Sequence, residues 1–227
     1  MNIPNKKRIA SIILKCIVFF SAVTGTYLSA VTETGGFMNG GKIFMYFTIQ
    51  SNIFVALISA IGFVLLLRRQ KICSAWHVIK YVGAVSITLT GVVFSFVLAP
   101  TLGDKAWTLR NILTHVIVPI AFIIDFFVIA VYGDLQKRHI PFVLIPPGAY
   151  AVYAGIGYLA GWEFRKGVNY PYFFLNWGSP AGAFGFSSEL PFMGTAWWIL
   201  ALVIFLLIFG AAYLWIVNRL KRRRLDV

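Results

Sequence analysis

Two apolar stretches carry side chains that lipid does not tolerate without partners. "YFTIQSNI" at 46–53 sets Thr48, Gln50, Ser51 and Asn52 nearly side by side. "NILTHVIVPIAFIIDFFVIAVY" at 111–132 carries Asn111, His115 and Asp125. Polar groups in an apolar span must face inward and find partners. One pairing among them has a recognisable chemistry: a threonine hydroxyl beside an imidazole is a nucleophile beside its general base. Small and polar residues are also the usual packing surface between membrane helices, and a Thr often bonds its own backbone four residues back. On the sequence, both readings of the polar run stand.

The elements that must position these residues are long and apolar. The chain has 227 residues, a mean hydropathy of +0.82, and 59% apolar and 12% charged residues; a soluble domain carries about 25% charged residues. Six runs reach the roughly 20 residues that a helix needs to cross a hydrocarbon core. They lie near 9–31, 43–67, 77–99, 111–132, 142–161 and 195–217. The expectation is an all-α membrane protein: a single domain, residues 1–227, built as a bundle of six transmembrane helices. The first run follows "KKR" but is longer than a signal-peptide core of about 7–15 residues.

Fifteen of the twenty Lys and Arg fall on one side of this arrangement, including Lys15, Lys71, Lys80 and the tail "RLKRRRLDV". That bias predicts both termini in the cytoplasm. The net charge of +13 sits in short clusters between apolar runs, so no nucleic-acid partner is expected. Cys16 and Cys73 fall on the reducing side and predict no disulfide. No zinc-ligand spacing, phosphate loop, dinucleotide fingerprint or serine-hydrolase elbow occurs, so neither metal nor cofactor is expected.

Helical geometry sharpens the picture. Thr48, Ser51, Asn52, Ser59 and Gly62 share one stripe of the second span. Thr48 lies five residues below Ile43, and His115 four below Asn111, on spans running in the same direction. Both sit about 6–8 Å under the outer boundary. Pro119 lacks the N–H that would bond the His115 carbonyl, so the helix must depart from regularity there. Asp125, ten residues on, is about 15 Å deeper and cannot complete a triad. Its level matches Lys15 of the first span. The two are expected to form a buried structural ion pair, unless Lys15 snorkels to the headgroups. Asn52 and Gln50 are the nearest side chains to serve as oxyanion donors. The aromatic segment 162–194 is expected to cap the outer ends of the second and fourth spans through Tyr170, Pro171 and Tyr172, or else to form an interfacial aromatic belt.

"YFTIQSNI", "THVIVPIAFIIDF", "VYAGIGYLAGW" and "NYPYFFLNW" occur in an order that resembles the bacterial Pr6Pr family of six-span membrane proteins. That family more distantly resembles the eukaryotic androgen-induced (FAR-17a) family of integral-membrane hydrolases. The resemblance implies a nucleophilic Thr48 assisted by His115, a fatty acid ester of a hydroxy fatty acid or similar lipid as substrate, and a bacterial cytoplasmic (inner) membrane as location. Asn176 departs from the pattern, which has Asp after "YPYFL"-like residues. The functional expectation is an intramembrane hydrolase of a fatty acyl ester, with Asn111, Tyr170, Tyr172 and Asn176 near its pocket. The alternatives are a non-enzymatic lipid-binding or scaffold protein, and a small proton-coupled transporter using Lys15, Asp125 and His115. The lack of an internal repeat weighs against the last.

Overall fold

The computed structural model describes residues 3–32, 40–70, 72–130 and 133–225. Among them, six helices are long and apolar enough to cross a membrane. They are α1 (Asn5–Val31), α2 (Phe47–Leu67), α3 (Ser74–Trp107), α4 (Leu109–Ala130), α5 (Lys137–Leu159) and α6 (Thr195–Leu225). No strand occurs among the described residues, only two isolated antiparallel bridges. Lys71, and residues 131–132 at the expected end of the fourth span, lie outside the described residues.

The central element is α3, with 72% of its apolar stretch buried against 22% for α5 and α6. Helix α1 packs against α2 and α4, α2 against α3, and α3 against α4. The outer faces are apolar: Ile13, Ile17 and Phe20 on α1, and Leu200, Ile204 and Ile208 on α6, all point away from the bundle. Their spacing of three and four residues marks one stripe per helix. The polar residues of α2 face the opposite way, with Thr48, Ser51, Asn52 and Ser59 all buried.

Two helices widen where they carry proline. Helix α3 makes a π turn at Phe94–Leu98, two residues before Pro100, and α4 makes one at Leu113–Ile117, two residues before Pro119. A proline cannot donate to the carbonyl four residues back, and its ring crowds that carbonyl. Those carbonyls belong to Phe96 and His115, the middle residue of each wide turn. The irregularity expected at His115 therefore takes the form of a π turn, with the Val118 N–H bonded to the Leu113 carbonyl. Gly91 of α3 faces it; a Cβ there would lie 3.0 Å from the His115 carbonyl oxygen.

Helix α5 ends in a Schellman motif. Gly161 takes a φ of +68°, its N–H bonds the Tyr158 carbonyl, and the Trp162 N–H bonds the Gly157 carbonyl. The chain then folds into an aromatic cap. Phe164, Tyr172, Phe174 and Leu175 are buried with Tyr46, Phe94, Leu98 and Tyr150. The cap covers the ends of α2, α3 and α5 that lie away from the chain termini, and Trp198 of α6 packs against Phe173 and Phe174. This differs from the expected cover over the fourth span. The first turns of α4 are roofed instead by α3, whose Phe94 stacks on His115 and meets Trp107 edge-on.

Candidate functional site

Thr48 is the second residue of α2, and its Oγ1 lies 3.3 Å from His115 Nε2. Both side chains are buried, at 5% and 4% exposure. The separation is slightly longer than a tight hydrogen bond, within the looser range of unliganded catalytic pairs.

The partners of the other ring nitrogen set the imidazole's tautomer. His115 Nδ1 lies 3.1 Å from the Asn111 carbonyl and 3.0 Å from Thr114 Oγ1. A carbonyl has no proton to give, so the proton in that contact belongs to Nδ1. The Thr114 hydroxyl donates to the Arg110 carbonyl, which leaves its lone pairs facing the ring. Nε2 is then the unprotonated nitrogen, and it faces the Thr48 hydroxyl as a base would. The ring is clamped by Phe94, stacked at 3.8 Å between centroids and 20° between planes.

Thr48 is held from below. Its carbonyl accepts from Ser51 Oγ at 3.0 Å and from Asn52 Nδ2 at 2.8 Å. Ser51 also reaches Thr90 of α3 at 2.7 Å, and Asn52 reaches the Thr114 carbonyl of α4 at 3.1 Å. The two residues tie α2 to both neighbours. The same bonds remove Asn52 from the expected oxyanion role, because both N–H groups of its amide are occupied by carbonyls. Gln50 is removed as well: its amide turns back to the Phe44 carbonyl at 3.0 Å, on the outer side of the helix.

Asn111 is not a pocket residue either. Its side chain bonds the Ala106 carbonyl at 2.8 Å, and its own carbonyl orients His115. Of the cap residues, Tyr172 comes to the site. Its hydroxyl lies 3.3 Å from the Thr48 N–H and 3.5 Å from Thr48 Oγ1. Burial pushes the Tyr172 phenol up from its usual value, so it keeps its proton. Tyr170 is half-buried and Asn176 accepts the Gly178 N–H in a local turn; neither lines the cavity beside Thr48.

That cavity has a volume of about 140 Å³ and is open on one side. Thr48 and Tyr172 bring polar atoms to its wall, and residues such as Leu89, Val93, Leu202 and Leu206 make most of the rest apolar. His115 lies behind Thr48, outside the lining.

Deeper in the bundle, Lys15 Nζ lies 2.5 Å from Asp125 Oδ2. A second lysine shares the carboxylate: Lys80 of α3, at 2.6 Å from Oδ2 and 2.9 Å from the Asp125 carbonyl. Ser11 donates to the other carboxylate oxygen. The charge count of the sequence took Lys80 only as one of the basic residues on one side, whereas here it is 3% exposed. The signal was present, since Lys80 falls inside the expected span 77–99. Gly62 leaves room for the lysine stem: a Cβ there would meet Lys15 Cε at 2.8 Å. Among the described residues, no group of His, Cys, Asp and Glu could hold a metal ion.

The chain matches no family model, no curated protein and no solved structure.

Proposed function

We propose that this protein is an integral-membrane hydrolase that cleaves a fatty acyl ester with Thr48 as nucleophile and His115 as general base. The supporting observation is the oriented pair: a buried hydroxyl facing the unprotonated nitrogen of a clamped imidazole, beside an apolar cavity. A threonine bonded only to its own backbone, with no cavity, would have favoured a helix-packing role. Thr48 Oγ attacks the ester carbonyl while Nε2 takes the hydroxyl proton. The Tyr172 hydroxyl donates to the oxygen that becomes negative. The imidazolium then protonates the departing alcohol. Water, deprotonated by the same nitrogen, releases the acid from Thr48.

The test is labelling by a fluorophosphonate, which reacts with activated hydroxyls. Thr48 of the wild type is expected to carry the label, and Thr48→Ala none. Tyr172→Phe is expected to label roughly a hundredfold more slowly, the loss typical of one oxyanion donor. Absence of label on Thr48 in the folded wild type defeats the proposal. The remaining reading is then a lipid-binding protein in which the same polar stripe only joins helices.

The proposal includes orientation. The basic ends of α1 and α6 face the cytoplasm and the aromatic cap faces outward, by the Lys and Arg bias. A reporter active only in the cytoplasm is expected to work when fused to the C-terminus and to fail when inserted between Gly178 and Pro180. The opposite pattern reverses the topology.

A further inference from the structure

We propose that the substrate enters sideways from the lipid phase, between α5 and α6, and that its extended acyl chain lies in the cavity on a floor made by Leu89, Leu144 and Leu206. The proposal rests on the ester-hydrolase reading and names the part of the substrate that the cavity holds.

Three observations carry it. The first is the distribution of exposure around the cavity. Its walls on α2, α3 and the cap are mostly buried, including Thr48, Leu89, Phe94, Tyr172 and Leu175. Apart from Phe47 and Val93, its half-buried and exposed lining lies on α5 and α6, as at Pro147, Gly148, Ala151, Ile199, Leu202 and Val203. The mouth is therefore lateral, on the faces of two helices whose other exposed residues are apolar, such as Val152, Ile156, Leu200 and Ile204.

The second observation is how these helices meet. Helix α6 packs against the first turns of α5, Lys137–Leu144, and the contact gives out along Ile145–Leu159. Leu144 marks the closed end of this wedge and lines the cavity there. Pro146 and Pro147 begin the helical segment that diverges, and Gly148 follows. At Gly148 an added Cβ meets no atom within 4 Å, so the gap is open at that point.

The third is polarity along the length. Among the described residues no charged side chain lines the cavity, which argues against a phosphate or free carboxylate inside it. Thr90 is occupied by Ser51, and Tyr150 by the Met45 carbonyl. The chemistry left for a ligand is concentrated at Thr48 and Tyr172. Around them the apolar lining on α3 runs from Leu98 to Leu89, about 13 Å at the helical rise, with Thr48 between its ends because Ser51 meets Thr90. A neutral ester with one long unbranched chain has the matching distribution of polarity.

Binding can be read without turnover, using a radiolabelled hexadecyl ether in which a methylene replaces the ester carbonyl. Wild type in nanodiscs is expected to bind it. Gly148→Trp fills the mouth and is expected to weaken binding at least tenfold. Val152→Trp, on the same helix at a residue 64% exposed and outside the cavity, is expected to leave binding unchanged. Leu206→Ala deepens the floor and is expected to shift the preferred chain to longer ethers. Should Gly148→Trp fail to fold, Ala151→Phe blocks the same mouth. Unchanged binding in the folded mouth variants, or equal weakening by Val152→Trp, overturns lateral entry. If the ether binds with the expected pattern while wild type cleaves no ester, the acyl site stands and the hydrolase reading falls. If esters are cleaved and the mouth variants cleave them equally well, the hydrolase reading stands and lateral entry falls.

Discussion

Thr48→Ala, His115→Ala and the double variant are expected to lose turnover of a long-chain ester to one common floor, roughly a thousandfold or more below wild type. General-base assistance alone accounts for about 10²–10⁴, and residues that act as one unit do not add when removed together. The geometry makes the two a unit, because Nε2 faces the Thr48 hydroxyl and Nδ1 is held by the Asn111 carbonyl. Thr48→Ser keeps the hydroxyl and is expected to retain partial activity. Initial rates on purified protein, with melting temperatures as a control for folding, decide the matter. Losses that multiply in the double variant would show two independent effects and defeat the paired mechanism.

The largest effect on stability is expected at Asp125. Asp125→Ala strands two buried ammonium groups, Lys15 and Lys80, that now share its carboxylate. Removing one partner of a buried pair costs about 3–5 kcal/mol, and here the stranded charge is double. Combining Asp125→Ala with Lys15→Met is expected to recover only part of the loss, because Lys80 remains at 4% side-chain exposure. The triple variant with Lys80→Met as well replaces the whole cluster by apolar atoms and is expected to recover most of it. Denaturation in detergent measures this series. If single and triple variants melt alike, the charges are not energetically coupled.

The features legible in the sequence are those fixed by helical geometry. The rise per residue is constant, so counting inward from the span ends set Thr48 and His115 at one level; the structure then places them 3.3 Å apart. The same counting matched Lys15 with Asp125. What the sequence left hidden depends on which way a side chain turns and which partner reaches it first. Asn52 looked like a free donor one turn below Thr48, yet it spends its amide on two carbonyls from different helices. Lys80 carries the same charge as the loop lysines, and only packing shows that α3 turns it inward. Tyr172 comes from a segment with no helical period, so no counting could bring its hydroxyl to Thr48. Pro100 carries the same backbone signal as Pro119, but the residue four positions before it is Phe96, which has no ionisable group to draw attention to the turn.

The paired π turns of α3 and α4 divide the molecule in a way that its layers do not. Each wide turn amounts to one residue inserted into an α-helix, and one residue is about 100° of helical rotation. The cap-side ends of both helices are therefore out of phase with their remaining halves, and the two offsets meet where Phe94 lies on His115. Lys80 and Asp125 sit on the inner side of those offsets, at fixed angles to α1 and α2. The angular setting of the imidazole is a separate variable, determined by a single residue's worth of chain in each helix. The bundle thus behaves like a shaft with a keyed joint: the ion cluster fixes the lower section, while the joint alone sets the bearing of the chemistry above it.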